Sequence, residues 1–290
     1  MLTIFKKELR SYFHSMTGFV FAALILVVFG IYGSIYCFYY GTPHYEYVFY
    51  NSSFVFLIVV PVLTMRSFAD ERRQKTDQLL YSLPISATQI VLGKYLAMLC
   101  VFAVPLLVSS AYPLLLLRYD PAGYISYSAI YTAILAFFCL GASLIAIGMF
   151  MSSLTENVFI SAIITFVTLL VCFLMGQIAN FLPSSPGPAA GVFAFLILLV
   201  ALLVFLVTKS STVGWIVFMV LELPLVVIVF AKSELLEGLL PKVFGVLSIF
   251  ERFYTFADGV FDLKVILYFL SIAVLFTVFT VQSIEKRRWS

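Results

Sequence analysis

A polar strip, Arg66 to Tyr95, interrupts an otherwise apolar chain and constrains the fold more than any other feature. Charged side chains crowd its first half, and long hydrophobic runs flank it on both sides. Such a strip cannot lie in hydrocarbon, so it must lie outside the bilayer and join two membrane spans. Its leucines favour a short amphipathic helix that ends at Pro84, and Ser86 is placed to cap the next helix.

Composition agrees with a chain that crosses a membrane many times. Hydrophobic residues make up 63% and charged residues 11% of the 290 residues, whereas soluble domains average about 25% charged residues. We therefore predict an all-α, polytopic integral membrane protein embedded in the lipid bilayer as a single transmembrane domain, residues 1–290. The apolar runs predict eight spans: Gly18–Tyr40, Tyr47–Met65, Ile90–Leu117, Tyr127–Met151, Val158–Asn180, Ala189–Val207, Val213–Ala231 and Val265–Ser283.

Residues 1–17 predict a helix that lies in the membrane interface. Its apolar residues recur at intervals of three and four, which places them on one stripe that faces lipid. Basic residues on the remaining surface would face the headgroups, so the helix is either an anchor alone or also a brace for a cytoplasmic partner. The stripe contains Leu2, Phe5, Leu9 and Phe13, and the remaining surface carries Lys6, Lys7, Glu8 and Arg10.

The distribution of basic residues predicts the orientation. With eight spans, 12 of the 17 lysines and arginines lie on the same side as both chain ends and the polar strip. Because loops rich in lysine and arginine stay in the cytoplasm, we expect both termini to be cytoplasmic, in the cell membrane of a prokaryote. The basic residues cluster near span ends, which does not indicate nucleic-acid binding.

The sequence lacks the common catalytic and metal-binding patterns. It contains no Walker A pattern, no HExxH and no GxSxG, so it has neither a phosphate-binding loop for ATP nor the usual parts of an intramembrane hydrolase. The 2 histidines lie far apart and the 4 cysteines form no CxxC, so no metal site is indicated. We therefore expect a protein that is not an enzyme and holds no cofactor.

One acid, Glu222, lies deep in the seventh predicted span, two residues before Pro224. Ionisable residues at that depth are costly, so they suggest a functional site, here for a cation or a proton. The alternative is a structural carboxyl that is hydrogen-bonded to a neighbouring helix beside a proline kink. We favour the structural role, because no other span supplies an acid near its centre for a relay.

The segment from residue 232 to residue 264 is too polar to span and is predicted to be extracytoplasmic. Its aromatic residues suit a helix at the outer interface, either as membrane anchors or as an outer gate for an apolar substrate. These residues are Phe250, Phe253, Tyr254, Phe256 and Phe261.

Four stretches together resemble the ABC type-2 exporter permeases, most closely the gliding-motility-type branch. The most specific one is similar to that branch's coupling helix and the entry to its third span, and here it corresponds to residues 66–89. The stretches are IFKKELRSYFHSMTGFVF, LTMRSFADERRQKTDQLLYSLPISATQIVLGKYLA, SLTENVFISAI and LSIFERFYTFADGVFDLKVILYFLS.

This resemblance implies a permease subunit that forms a dimer with a second permease subunit and binds cytoplasmic ABC ATPase subunits. In that family the coupling helix docks on the ATPase. Carried onto this chain, the docking contacts would be Glu71, Arg72 and Arg73, with Thr76 and Leu79 beside them. We expect these side chains to lie on an exposed helix, where the fold would tolerate their loss.

The chain departs from the family pattern in three places. Lys75 stands where a glycine is frequent, and Gln78 stands where a glutamate is frequent. The usual family form also has six spans, so the sixth and seventh predicted spans would be an insertion.

An ABC exporter permease of unidentified substrate is the function that fits best, since a many-span protein without a nucleotide site needs an external source of energy. An ion-coupled secondary transporter and a non-transporting scaffold subunit are the alternatives. A secondary transporter should show broken helices in symmetric halves and buried coupling acids. Only Glu222 and the proline after it hint at that arrangement.

Overall fold

Most of the residues that the structure describes are helical, and no strand occurs among them. The structure is a computed structural model. It describes residues 1–41, 44–77, 85–116, 126–182, 185–208, 237–257 and 262–288, together with 215, 218–224, 226 and 229. The α-helices are α1 (Leu2–His14), α2 (Met16–Gly33), α3 (Glu46–Ser52), α4 (Phe56–Thr64), α5 (Ala69–Arg73), α6 (Ala87–Ser109), α7 (Tyr112–Leu116), α8 (Tyr127–Leu154), α9 (Val158–Phe181), α10 (Pro186–Thr208), α11 (Leu239–Leu247), α12 (Ile249–Ala257) and α13 (Leu263–Arg288). A π-helix, Ser34–Tyr39, continues α2, and a 3-10 turn, Ser53–Val55, joins α3 to α4.

Six stretches of the described chain are long and apolar enough to cross a membrane. They confirm the first five predicted spans and the last one, and with them the all-α polytopic class. The sixth predicted span coincides with α10, which is long enough to cross, and nearly half of the seventh lies outside the described residues. The count of eight therefore stays a prediction. The six stretches are Met16–Cys37, Glu46–Arg73, Ala87–Leu114, Tyr127–Leu154, Val158–Ala179 and Leu263–Arg288.

Two local predictions are confirmed at helix ends. The segment predicted to lie at the interface is helical, forming α1 over Leu2–His14, and its place in the membrane stays a prediction. Helix α6 begins directly after Ser86, whose side-chain oxygen accepts a hydrogen bond from the Gln89 amide at 3.3 Å. Both features follow from residues close together in the chain, an apolar periodicity and a capping hydroxyl.

The larger of two compact units, residues 1–173 and 249–290, has α8 at its centre. Helices α4, α6, α12 and α13 all pack against α8, and α1 packs along α6. Six phenylalanine rings, one each from α2, α3, α4, α6, α8 and α12, form the aromatic core of this unit, with ring centroids 4.4–6.2 Å apart. They are Phe29, Phe49, Phe56, Phe102, Phe137 and Phe253.

Small residues let the neighbours of α8 approach its backbone closely, as their presence in the fourth span predicts. A Cβ atom on Gly141 would lie 2.4 Å from the Phe102 ring, and one on Gly148 would lie 2.5 Å from the Thr64 hydroxyl. The Ser143 hydroxyl donates across to the Phe269 carbonyl of α13 at 2.8 Å. These contacts are typical of packing between membrane helices, where small residues replace bulky ones at the interface.

The aromatic residues of the segment 232–264, which was predicted to be extracytoplasmic, differ from their prediction. Phe250 and Phe253 are buried rather than exposed at an interface. Phe250 packs on Phe173 and Phe253 packs on Phe137, with ring centroids 5.1 and 5.9 Å apart. Tyr254 shares a hydrogen bond with Ser53 at 3.0 Å. Burial of apolar rings in the core outweighs their preference for the interface, and the side chains of Phe256 and Phe261 lie outside the described residues.

The second compact unit, residues 174–248, contains the end of α9 together with α10 and α11, which contact each other. Its residues between 215 and 229 include a helical stretch at 218–224 that carries Glu222. The Glu222 atom Oε2 is buried and accepts no hydrogen bond from the described residues. The structural role predicted for this acid therefore stays a prediction.

Candidate functional site: the ion cluster

The strip between the second and third spans folds into a five-residue helix, α5, that is held at its start by another helix. The Ser152 hydroxyl of α8 accepts hydrogen bonds from the amides of Phe68 and Ala69, at 3.2 and 3.3 Å, and donates to the Met65 carbonyl at 3.3 Å. The Ser152 side chain therefore caps the start of α5, although it belongs to another helix. Displacing the end of α8 would therefore displace the start of α5.

The end of α5 has a backbone motif that normally uses glycine. Lys75 adopts a left-handed conformation, with φ of +57°. Its amide donates to the Arg72 carbonyl and the Thr76 amide donates to the Glu71 carbonyl, each at 3.0 Å, which is the Schellman pattern. This conformation is a physical reason for the glycine that is frequent at this position in similar permeases, because a side chain makes it costly.

We expect Lys75→Gly to slow backbone exchange across α5. A residue with a Cβ atom costs roughly 1–2 kcal/mol of stability in the left-handed conformation. Glycine removes that cost, but its extra conformational freedom in the unfolded chain offsets roughly 0.5–1 kcal/mol of the gain. Hydrogen exchange over residues 69–76, read by mass spectrometry, measures the difference. Gln74→Gly is the matched control: its backbone is right-handed, so it should speed exchange. If both substitutions accelerated hydrogen exchange equally, the left-handed conformation assigned to Lys75 would be contradicted.

A buried lysine joins three helices beneath this segment. Lys94 of α6 has 3% of its side chain exposed, and its Nζ donates to Glu71 Oε1 of α5 at 2.8 Å and to Glu8 Oε1 of α1 at 3.2 Å. A third hydrogen bond, 2.8 Å long, reaches the Ser67 carbonyl. All three ammonium protons are therefore used, as a buried charge requires. We call Glu8, Glu71 and Lys94 the ion cluster.

Two further residues, Lys7 and Tyr12, lie next to the ion cluster. Lys7, which is largely exposed, lies 3.5 Å from Glu8 Oε1 and 3.6 Å from Glu71 Oε1. Below it, the buried Tyr12 hydroxyl donates to the Leu63 carbonyl at 3.3 Å. Burial raises the pKa of Tyr12, and the carboxylates of Glu8 and Glu71 raise it further, so the hydroxyl keeps its proton and acts as a donor.

The predicted docking residues do not all lie on an exposed helix. Glu71 points into the ion cluster, and Arg72 is buried, with 5% of the residue exposed. The expectation that both are exposed is wrong, and for Glu71 the reason is that the buried Lys94 of α6 attracts the acid inward. Arg73 is 61% exposed and donates to Asp70 at 2.9 Å, and Thr76 is exposed.

Leu79 and Gln78 lie outside the described residues. Among the described residues of this segment, four consecutive ones that directly follow Arg72 are exposed, and we call them the exposed tip. They are Arg73, Gln74, Lys75 and Thr76.

Three residues of this site were missed by sequence reasoning. Glu8 was expected on the outer surface of α1, yet it is turned toward Lys94. Ser152 carried no sequence signal for capping a helix more than eighty residues away. Lys94 did carry one, since it is a charge inside a run that is otherwise apolar, and such a charge needs a partner.

The fold and the site together define a polytopic α-helical membrane protein with an ion-paired segment between its second and third spans. The family model described as ABC-2 family transporter protein matches residues 40–189, which is 150 of the 290 residues and covers this segment. The chain belongs to this family and is a membrane permease of the ABC transporter class, with an ABC ATPase as the implied partner. No curated protein matches the chain.

Proposed function

We propose that this protein is the permease subunit of an ABC exporter of the gliding-motility-type branch, driven by ATP hydrolysis in a separate subunit. The observation that carries the proposal is the ion cluster. It ties the segment between the second and third spans to α1 and α6, while Ser152 ties the same segment to α8. A displacement of that segment would therefore displace several helices at the same time.

The exposed tip, residues 73–76, is the surface that we propose for ATPase docking. Arg73, Gln74, Lys75 and Thr76 are exposed and follow directly after the clamped part of α5. The partly buried acid of this segment, Glu71, would then hold the segment in place rather than touch the ATPase. The basic-residue count supports both termini, the tip and the ATPase lying in the cytoplasm, and a second permease subunit would complete the transporter.

Purification of the permease from its native membrane is expected to recover an ATPase that carries a Walker A motif. A charge reversal at the tip, Arg73→Glu, should reduce the recovered ATPase, because it changes an exposed docking side chain. Lys286→Glu is the matched control, an equal charge change on an exposed residue at the carboxyl end. Recovery of the permease without any such ATPase would refute the proposal and favour the ion-coupled transporter or the scaffold.

A further inference from the structure

A polar cleft of about 360 Å³ lies between α1 and the segment that contains α5. The ion cluster forms one part of its wall. Another part is formed by Arg66, Thr17 and Ser15, at the elbow where α1 joins α2. Lys94 and Lys7 together balance the carboxylates of Glu8 and Glu71, and Asp70, which also lines the cleft, pairs with Arg73. The chemistry of the cleft toward an outside ligand therefore depends on the elbow.

Arg66 has the features of a ligand-binding cation. It is exposed, and it forms no ion pair with the residues that the structure describes. Its contact there is a long hydrogen bond of 3.5 Å from Nη1 to the Thr17 hydroxyl. Ser11 also lines the cleft, and its hydroxyl can serve as a donor, whereas the Ser15 hydroxyl donates to the Tyr12 carbonyl at 3.3 Å. A guanidinium beside hydroxyl donors matches the oxygens of a phosphate group.

The residues next to Thr17 fix the depth of this elbow in the membrane. Met16 is 85% exposed and Phe19 is 62% exposed, although both are large and apolar. Side chains of this kind that lack protein cover are covered by lipid in a membrane protein. Arg66 and Thr17 therefore lie at the boundary between hydrocarbon and water, which is the level of the phospholipid headgroups.

We propose that this cleft binds the headgroup phosphate of an anionic phospholipid. Arg66, which forms no ion pair with the described residues, pairs with the phosphate and favours a headgroup of net negative charge, and the hydroxyls of Thr17 and Ser11 donate hydrogen bonds to it. A bound headgroup joins the α1–α2 elbow to the chain just before α5. The inference concerns this permease alone and is independent of the ATPase partner.

The test measures thermal unfolding of the delipidated protein in detergent. Phosphatidylglycerol is expected to raise the unfolding midpoint of the unaltered protein, and phosphatidylcholine and inorganic phosphate are expected to have much less effect. Arg66→Gln should weaken phosphatidylglycerol binding about tenfold or more, since a charge-assisted hydrogen bond is lost. Lys286→Gln, an exposed cation at the carboxyl end, should bind the lipid as the unaltered protein does.

Several outcomes would overturn the proposal. An equal shift with inorganic phosphate would mean that the cleft recognises free phosphate, and an equal shift with phosphatidylcholine would mean that the negative headgroup is not selected. Equal losses in Arg66→Gln and Lys286→Gln would mean general attraction to basic residues. An unchanged response to lipid with reduced ATPase recovery in Arg66→Gln would assign the cleft to protein docking. Thr17→Val serves as the second variant if Arg66→Gln does not fold.

Discussion

Lys94→Met is expected to lower the free energy of unfolding by about 3–5 kcal/mol, because it removes the cation that two inward-facing carboxylates share. Glu8 and Glu71 lie 3.2 and 2.8 Å from its Nζ. Without it they face each other with only the exposed Lys7 as compensation. A lower midpoint of thermal unfolding in detergent, together with freer movement of α5 in hydrogen exchange, measures the effect.

Neutralising the whole ion cluster should restore much of that loss. In a triple variant, Lys94→Met with Glu8→Gln and Glu71→Gln, the charge that remains is on Lys7, which is largely exposed. Buried ion groups replaced together are often close to neutral in stability. Lys6→Met, on the exposed side of α1, controls for loss of a lysine alone and should unfold normally. An unaltered midpoint in Lys94→Met would show that the ion cluster does not hold these helices together.

Gly141→Ala is expected to destabilise the aromatic core by about 1–3 kcal/mol, the usual cost of overpacking. The added Cβ would lie 2.4 Å from two atoms of the Phe102 ring and 2.9 Å from the Phe56 ring. Both rings are fully buried among other aromatic residues, so neither can move away easily. The overpacking cost exceeds the gain of roughly 1 kcal/mol in helix propensity.

Gly30→Ala is the matched control for this substitution. Gly30 lies in α2, and a Cβ there would meet nothing within 4 Å. The alanine should therefore leave the unfolding midpoint unchanged or raise it slightly through helix propensity. Equal destabilisation by both substitutions would assign the effect to the loss of glycine itself rather than to the contact with Phe102.

The two variants also separate the functions of two regions. Lys94→Met breaks the link between α5 and the helices beneath it, so in the proposed exporter it should uncouple ATP hydrolysis from transport at temperatures where the fold survives. Gly141→Ala acts in the aromatic core, away from α5, and should leave ATPase recovery intact. The comparison tests whether the ion cluster transmits movement or only contributes stability.

The sequence by itself determined the features that depend on neighbouring residues. Apolar runs located six membrane-crossing stretches, a periodic stripe located α1, and the hydroxyl of Ser86 located the start of α6. Each of these signals acts over a few residues, so it can be read without the fold.

Only the tertiary structure decided which polar side chains turn inward. Glu8, Glu71 and Ser67 reach Lys94 from positions 86, 23 and 27 residues away along the chain. Ser152 reaches the start of α5 across 84 residues. A periodic pattern places a charge on a helix face, but it does not identify the partner that faces it. The burial of Glu71 and Arg72 therefore became visible only when the helices were packed, because the energy of a buried charge depends on what surrounds it in space.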